Sequence, residues 1–260
     1  MAEGTGNDRI DATVDPAEVE RYRGLADMWW QRDGKLWPLH LLNELRTGYI
    51  RDELAALHGR DPAAPEPLRG LRILDIGCGG GLLSEAMARL GAEVHGVDVV
   101  DSNIQVARLH AAEHGLAIDY ETATAESVAE RGDQYDVVLN MEVVEHVADL
   151  PAFMAAVNRL VTPGGHTFVA TINRNPVSYV VAILGAEYIF RLLPKGTHQW
   201  SRFPTPDEID TLLQRDGIRV IRRTGVKVNP LTRRMWLSPS LSVNYMLMGE
   251  RHSGAGGTRE

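Results

Sequence analysis

The strongest constraint on the fold is a short apolar run, Arg72 to Ile76, that stops in Gly77-Cys78-Gly79-Gly80-Gly81 and resumes as a helical pattern from Leu82 to Leu90. A strand that turns through glycines straight into a helix opens a βαβ unit, and the glycines let a ligand approach the backbone closely. The alternation then repeats. Glu93 to Val97 reads as a second strand ending at Asp98, and Ser102 as the cap of a helix reaching about Glu113. Ile118 to Thr122 gives a third strand and Tyr135 to Asn140 a fourth, wholly apolar at Val137-Val138-Leu139 as a central parallel strand should be. A helix over Leu150 to Leu160, a turn at Thr162-Pro163-Gly164-Gly165 and a strand over Thr167 to Ile172 follow. Beyond an insertion from Arg174 to Arg202, Thr205 to Asp216 reads as a helix, and Arg219 to Val228 and Val243 to Met248 as strands. Strands separated by helices imply right-handed crossovers, so the expected fold is a doubly wound α/β domain with a mostly parallel, Rossmann-like sheet.

The expected organisation around that domain has five parts. Residues 1–14 are polar and read as disordered, 15–58 as an N-terminal helical cap, and 59–70 as a linker holding Pro62, Pro65 and Pro67. Residues 71–252 form the α/β domain with the insertion at 174–202, and 253–260 read as a flexible tail. A net charge of -8 argues against a general nucleic-acid binder, which needs a basic face for phosphates. With Cys78 the single cysteine, neither a disulfide nor a cysteine-rich metal site can form. The polar start lacks the apolar core of a secretory signal, and no long uncharged apolar stretch reads as a membrane span, so the expected address is the cytoplasm.

The glycine loop alone does not separate a dinucleotide site from other ligands. The dinucleotide fingerprint needs Gly or Ala at its sixth position, and counting from Gly77 that position is Leu82. Asp75, just before the loop, would repel a pyrophosphate but can face the ammonium of a methionine moiety. S-adenosylmethionine carries that ammonium and a sulfonium, and no phosphate. Asp98, at the end of the second strand, stands where a carboxylate accepts both hydroxyls of a ribose; its alternative is a helix cap. Gly77 and Gly79 supply the close approach. Glu126, after the third strand, can meet the adenine edge or simply sit solvated at a helix start.

A second constellation follows the fourth strand: Met141, Glu142, Val143, Val144, Glu145, His146. If a helix begins after Met141, then Glu142, Glu145 and His146 share one face. Two carboxylates and an imidazole can hold a hard divalent cation such as Mg²⁺, or His146 can serve as general base. Either would help a phenolic hydroxyl, with an ordinary pKa of about 10, lose its proton. The plainer alternative is that both carboxylates charge a helix N-terminus.

These segments together resemble the ubiquinone-biosynthesis O-methyltransferase family. The resemblance rests on Trp29-Trp30 with Gly34, Pro38-Leu39-His40, Asn43 and Arg46 to Ile50. It continues through LDIGCGGGLLSEAMARLGAEVHGVD, YDVVLNMEVVEHV, PGGHTFVATINRN, GAEYIFRLLPKGTH and VNYML. It implies methylation of catechol hydroxyls on polyprenylated ubiquinone precursors, 2-polyprenyl-6-hydroxyphenol and 3-demethylubiquinol. It also implies that Arg46, Gly77, Asp98 and Met141 contact S-adenosylmethionine; the plainer alternative for Arg46 is a surface ion pair. One departure is Glu44, where the family often has proline.

Pro176 to Leu193 is almost wholly apolar, and Arg174 to Arg202 carries four basic residues against Glu187, a local excess of +3. An apolar helix with basic flanks fits insertion into an anionic lipid surface, where a long isoprenoid acceptor would reside, and a lid over the site is the alternative. The enzyme would then be peripheral at the inner face of the cytoplasmic membrane, with room for assembly with other ubiquinone-synthesis enzymes. A methyltransferase for another small phenol would share every donor residue. A nicotinamide-dependent oxidoreductase would share the fold class, with Leu82 and Asp75 against it.

Overall fold

The computed structural model describes residues 24–26, 28–34, 36–176, 178, 202–229 and 232–253. The expectations for residues 1–14, for most of the insertion at 174–202 and for the tail lie outside the described residues. Helical residues 24–26 and 28–30 lead through a turn at Gly34, whose N–H donates to Gln31 O at 2.9 Å, into helix α1 (Trp37–Leu57). α1 runs unbroken through Glu44, so the substitution leaves a regular helix there.

The remaining elements are β1 (Arg72–Ile76), α2 (Leu82–Arg89), β2 (Glu93–Asp98), α3 (Asp101–Glu113), β3 (Asp119–Thr122), α4 (Ala125–Glu130) and β4 (Tyr135–Met141). After them come α5 (Leu150–Leu160), β5 (Val161–Ile172), α6 (Pro206–Arg215), β6 (Ile218–Asn229), β7 (Arg234–Ser238) and β8 (Asn244–Arg251). All eight strands form one sheet in the order β3-β2-β1-β4-β5-β8-β6-β7. β1 to β5 are parallel, and β8 lies antiparallel between β5 and β6. β6 therefore runs in the direction of β1 to β5. This is the doubly wound, mostly parallel sheet expected, with the strand order reversing between β1 and β4.

Alternation along the strands builds a core on each face. Leu74, Val138, Val169 and Leu247 pack with Val128, Phe153, Val157, Ile209 and Leu213 from α4, α5 and α6. Ile73, Val137, Leu139, Phe168 and Met246 pack on the other face against Tyr49, Ile50 and Leu54 of α1 and Leu83 and Met87 of α2. Each fully buried aliphatic side chain contributes about 1.5–3 kcal/mol, so β4, buried on both faces, anchors the sheet.

Three details depart from expectation. α3 starts at Asp101, after Val100, and has no side-chain cap; Ser102 lies inside it because the Asp98 carboxylate takes the Val100 N–H at 2.8 Å. Val161 already pairs with Tyr135, and residues 162–165 bulge out before His166 pairs with Val137, so the Pro163-Gly164 turn lies within β5. β7, the edge strand paired to β6, was not expected at all.

Candidate active site

The site is built at the carboxyl ends of β1, β2 and β4, where the strand order reverses. Gly77 and Cys78 donate to Val97 O at 2.7 and 3.0 Å, tying the loop after β1 to β2. Gly77, Gly79 and Gly81 all have positive φ (69°, 55° and 88°). Side chains there are excluded twice over. A Cβ on Gly77 would lie 2.5 Å from Val143 Cγ2, and one on Gly79 would lie 2.7 Å from the Trp29 ring. Trp29 thus lies directly on the loop. Beside it, Trp30 Nε1 donates to Gly80 O at 3.2 Å, and its indole stacks on His110 with 3.5 Å between centroids. Buried Glu85 accepts from His110 Nδ1 at 2.6 Å, while His40 Nε2 meets Trp29 O at 2.9 Å. The helical cap is therefore fastened to the glycine loop by specific contacts.

Asp98 is nearly buried at the end of β2. Its Oδ2 accepts the Gly79 N–H at 3.0 Å, and its Oδ1 accepts from Val100 N at 2.8 Å. The carboxylate is held rigidly against the loop, and it is not the cap of α3. Asp75 is buried behind the loop, where Ser84 Oγ donates to it at 2.6 Å. Burial pushes its pKa up to about 7, against the Ser84 hydrogen bond, with the Asp98 charge adding to the rise. Glu126 lies in the first turn of α4, which is capped by Thr124. Cys78 is buried, and burial raises its thiol pKa well above the ordinary range, so it is no nucleophile.

The segment after β4 is where sequence reasoning failed locally. Glu142 has φ of 58°, in the left-handed region, and residues 142–149 form turns and bends instead of a helix. No residue type in Met141-Glu142-Val143 announces that conformation, because Glu rarely adopts it. Glu142 N donates to Ala170 O at 2.8 Å, which fixes the turn to β5. Glu142, Glu145 and His146 therefore do not share a helix face. His146 lies exposed on the turn, whereas Glu145 is buried. Burial, with the negative Glu142 beside it, raises the Glu145 pKa to about 8. Its Oε2 is buried and has no hydrogen-bond partner.

Glu142 is compensated from two sides. Arg46 of α1, itself buried, pairs with Glu142 Oε1, and Asn244 at the start of β8 donates to the same oxygen at 3.0 Å. The Arg46 Nε is buried and unpartnered. Met141 closes β4 among the core residues on the α1 side. Asn244 and Asn43, which donates to Leu82 O at 3.1 Å, were legible only as members of a family block, without a role.

The proposed metal trio does not converge. Among the described residues, no group of three or more His, Cys, Asp or Glu side chains could hold a metal ion. Arg46 supplies the positive charge that Glu142 would otherwise seek, and the turn carries His146 to the surface. Nor, among the described residues, is any helix long and apolar enough to cross a membrane.

A family model described as a methyltransferase domain matches residues 43–222. A relative from Mesorhizobium japonicum, named ubiquinone biosynthesis O-methyltransferase, is 53% identical over 93% of this chain and 97% of its own. One of the same name from Roseobacter denitrificans is 54% identical over 90% and 95%. Among solved structures, magnesium protoporphyrin IX methyltransferase from Synechocystis, with bound SAH, superposes with a TM-score of 0.54 at 22% identity, covering 80% of this chain and 84% of that one. A putative sarcosine dimethylglycine methyltransferase from Galdieria sulphuraria gives 0.57 at 12% identity, covering 80% and 86%.

Proposed function

The chain belongs to the ubiquinone biosynthesis O-methyltransferases, and from that premise we propose that it methylates a catechol hydroxyl of a polyprenylated ubiquinone precursor with Glu145 as general base. The reaction class is S-adenosylmethionine-dependent O-methylation; the two acceptors, 2-polyprenyl-6-hydroxyphenol and 3-demethylubiquinol, are the finer part of the proposal. The dehydrogenase reading falls away with the family.

The glycine cradle fits the donor. Gly77 and Gly79 present backbone where any Cβ would collide, and Asp98 offers a fixed carboxylate for two ribose hydroxyls. The spare Arg46 Nε–H suits the carboxylate of the methionine part. Met141 and Glu126 complete the proposed contacts, Glu126 toward the adenine, while Asp75 braces the loop from behind through its bond from Ser84. When bound, S-adenosylmethionine supplies a methyl carbon made electrophilic by the adjacent sulfonium.

The residues of the chain do the rest. Glu145 takes the phenolic proton, and the freed oxygen lone pair forms the new C–O bond. The S–CH₃ bond breaks with its electron pair remaining on sulfur. Arg46 and Asn244 hold Glu142 in place beside Glu145, so its negative charge keeps Glu145 basic enough to accept a proton. The observation that carries the proposal is this buried carboxyl after β4, its Oε2 without a hydrogen-bond partner and Glu142 beside it, an arrangement that raises its pKa. A base must be deprotonated, so kcat is expected to climb with pH to about 8 and then level off. Glu145→Gln is expected to abolish that limb and lower kcat by about 10²–10⁴. An unchanged profile in the variant would remove Glu145 from the role and return it to exposed His146.

A divalent cation is a second reading, favoured by the unpartnered Glu145 Oε2 beside a second carboxylate. As Arg46 already sits on Glu142, no step is assigned to an ion. Calorimetric titration of chelator-treated protein with Mg²⁺ tests it: binding abolished by Glu145→Gln supports the ion, and full activity in EDTA rejects it. Docking of residues 174–202 on an anionic inner membrane surface, and assembly with other enzymes of the route, complete the proposal.

A further inference from the structure

We infer that the β6–β7 hairpin is a docking surface for anionic phospholipid, separate from the 174–202 insertion. β6 runs with the parallel strands, so its end at Asn229 lies at the same edge of the sheet as the site. Its pairing with β8 ends at Val226 opposite Asn244, the residue that holds Glu142. Lys227, Val228 and Asn229 continue past β8, paired only with Trp236, Met235 and Arg234 of β7. The hairpin end thus projects beyond the sheet beside the acceptor carboxylates.

Its chemistry differs from the rest of the chain. Residues 218–238 contain six basic side chains and no acidic one, in a chain of net charge -8. Three of them are neutralised: Arg219 by Glu250, Arg222 by Glu53, and Arg223 by Asp207 and Asp210. Arg233 lies over the Trp37 ring, 4.7 Å from its centroid, which ties the hairpin to the start of α1. Lys227 and Arg234, nearer the end, have no acidic partner among the described residues. Lys227 is the cross-strand partner of Trp236, and Arg234 lies two residues before Trp236, so all three share one face. Trp236 is 45% exposed, and Val228 and Leu237, on the opposite face, are 40% and 38% exposed.

An exposed indole flanked by two unneutralised cations, with aliphatic side chains behind it, matches a lipid headgroup boundary. The indole and aliphatic groups enter the interface while the cations meet phosphate. The inference stands on this surface; the proposed polyprenyl acceptor gives it a purpose without carrying it.

Co-sedimentation of the full chain with vesicles of equal parts phosphatidylglycerol and phosphatidylcholine tests it, with Lys227→Glu/Arg234→Glu and Trp236→Ser beside the wild type. The wild type is expected to bind these vesicles, less at high salt, and to ignore pure phosphatidylcholine. Each lost cation near the surface weakens partition by about fivefold, so the double variant is expected to lose at least about 20-fold. Its turnover of a catechol without a prenyl tail is expected to be unchanged, which shows that it is folded and separates this test from that of the methyl transfer. Wild-type affinity in both variants would overturn the inference, as would failure of the wild type to bind. A variant that changed only the oligomeric state would assign the surface to a second copy instead.

Discussion

Asp98, the carboxylate proposed for the donor ribose, has both oxygens engaged by backbone N–H groups, so removing it would break the loop as well as the proposed contact. Asp98→Ala is expected to lower affinity for S-adenosylhomocysteine at least tenfold by calorimetric titration, and Asp98→Asn, which keeps an acceptor for Gly79, less. Equal affinity in wild type and Asp98→Ala would take the ribose role away from it. Asp75 leads to a stability prediction. Its pKa is raised in the fold to about 7, above the ordinary carboxylate value, so the unfolded chain loses the proton first. Stability is then full below about pH 4 and is lost as pH rises through about 7. Relative to Asp75→Asn, the wild type is expected to lose on the order of 5 °C in Tm between pH 5 and pH 8. Parallel curves for the two proteins would show that Asp75 carries no such shift.

At the scale of elements, the glycine loop and the helical cap act as a unit. Gly79→Ala meets both a left-handed φ and the Trp29 ring. It is expected to cost about 1–3 kcal/mol in unfolding free energy and to weaken binding of S-adenosylhomocysteine. Undiminished stability in denaturant titration would mean that Trp29 does not rest on the loop. The sequence made β4 legible because a strand buried on both faces reads as a continuous apolar run, and β1 and β2 legible by their place on either side of the glycine loop and its helix. It hid β7, whose five residues include a cation and three large side chains with no clear alternation and follow soon after Asn229. It hid the turn at Glu142 because backbone and tertiary contacts, the bond to Ala170 and the pairing with Arg46, impose a conformation that the residue does not prefer. Glycine positions could be read one by one; the convergence of Arg46, Asn244 and Glu142, from residues 46, 142 and 244, could not, since it exists only once the sheet is assembled.

Across the whole molecule, the proposed donor cradle over β1 and β2 and the carboxylate pair after β4 lie on neighbouring strands of one edge, with α1 bridging them through Asn43 and Arg46. That edge also carries the cationic end of the β6–β7 hairpin. The arrangement suits the proposed transfer of a methyl group between two bound molecules at that edge. The most direct test is incubation of the purified chain with methyl-labelled S-adenosylmethionine and a short-chain prenylated catechol, followed by identification of the labelled product. The expected result is one labelled ring methyl ether per S-adenosylhomocysteine formed, at a rate that rises to about pH 8. Absence of label on the phenolic oxygen, with the donor bound, would contradict catechol O-methylation as the activity of this site.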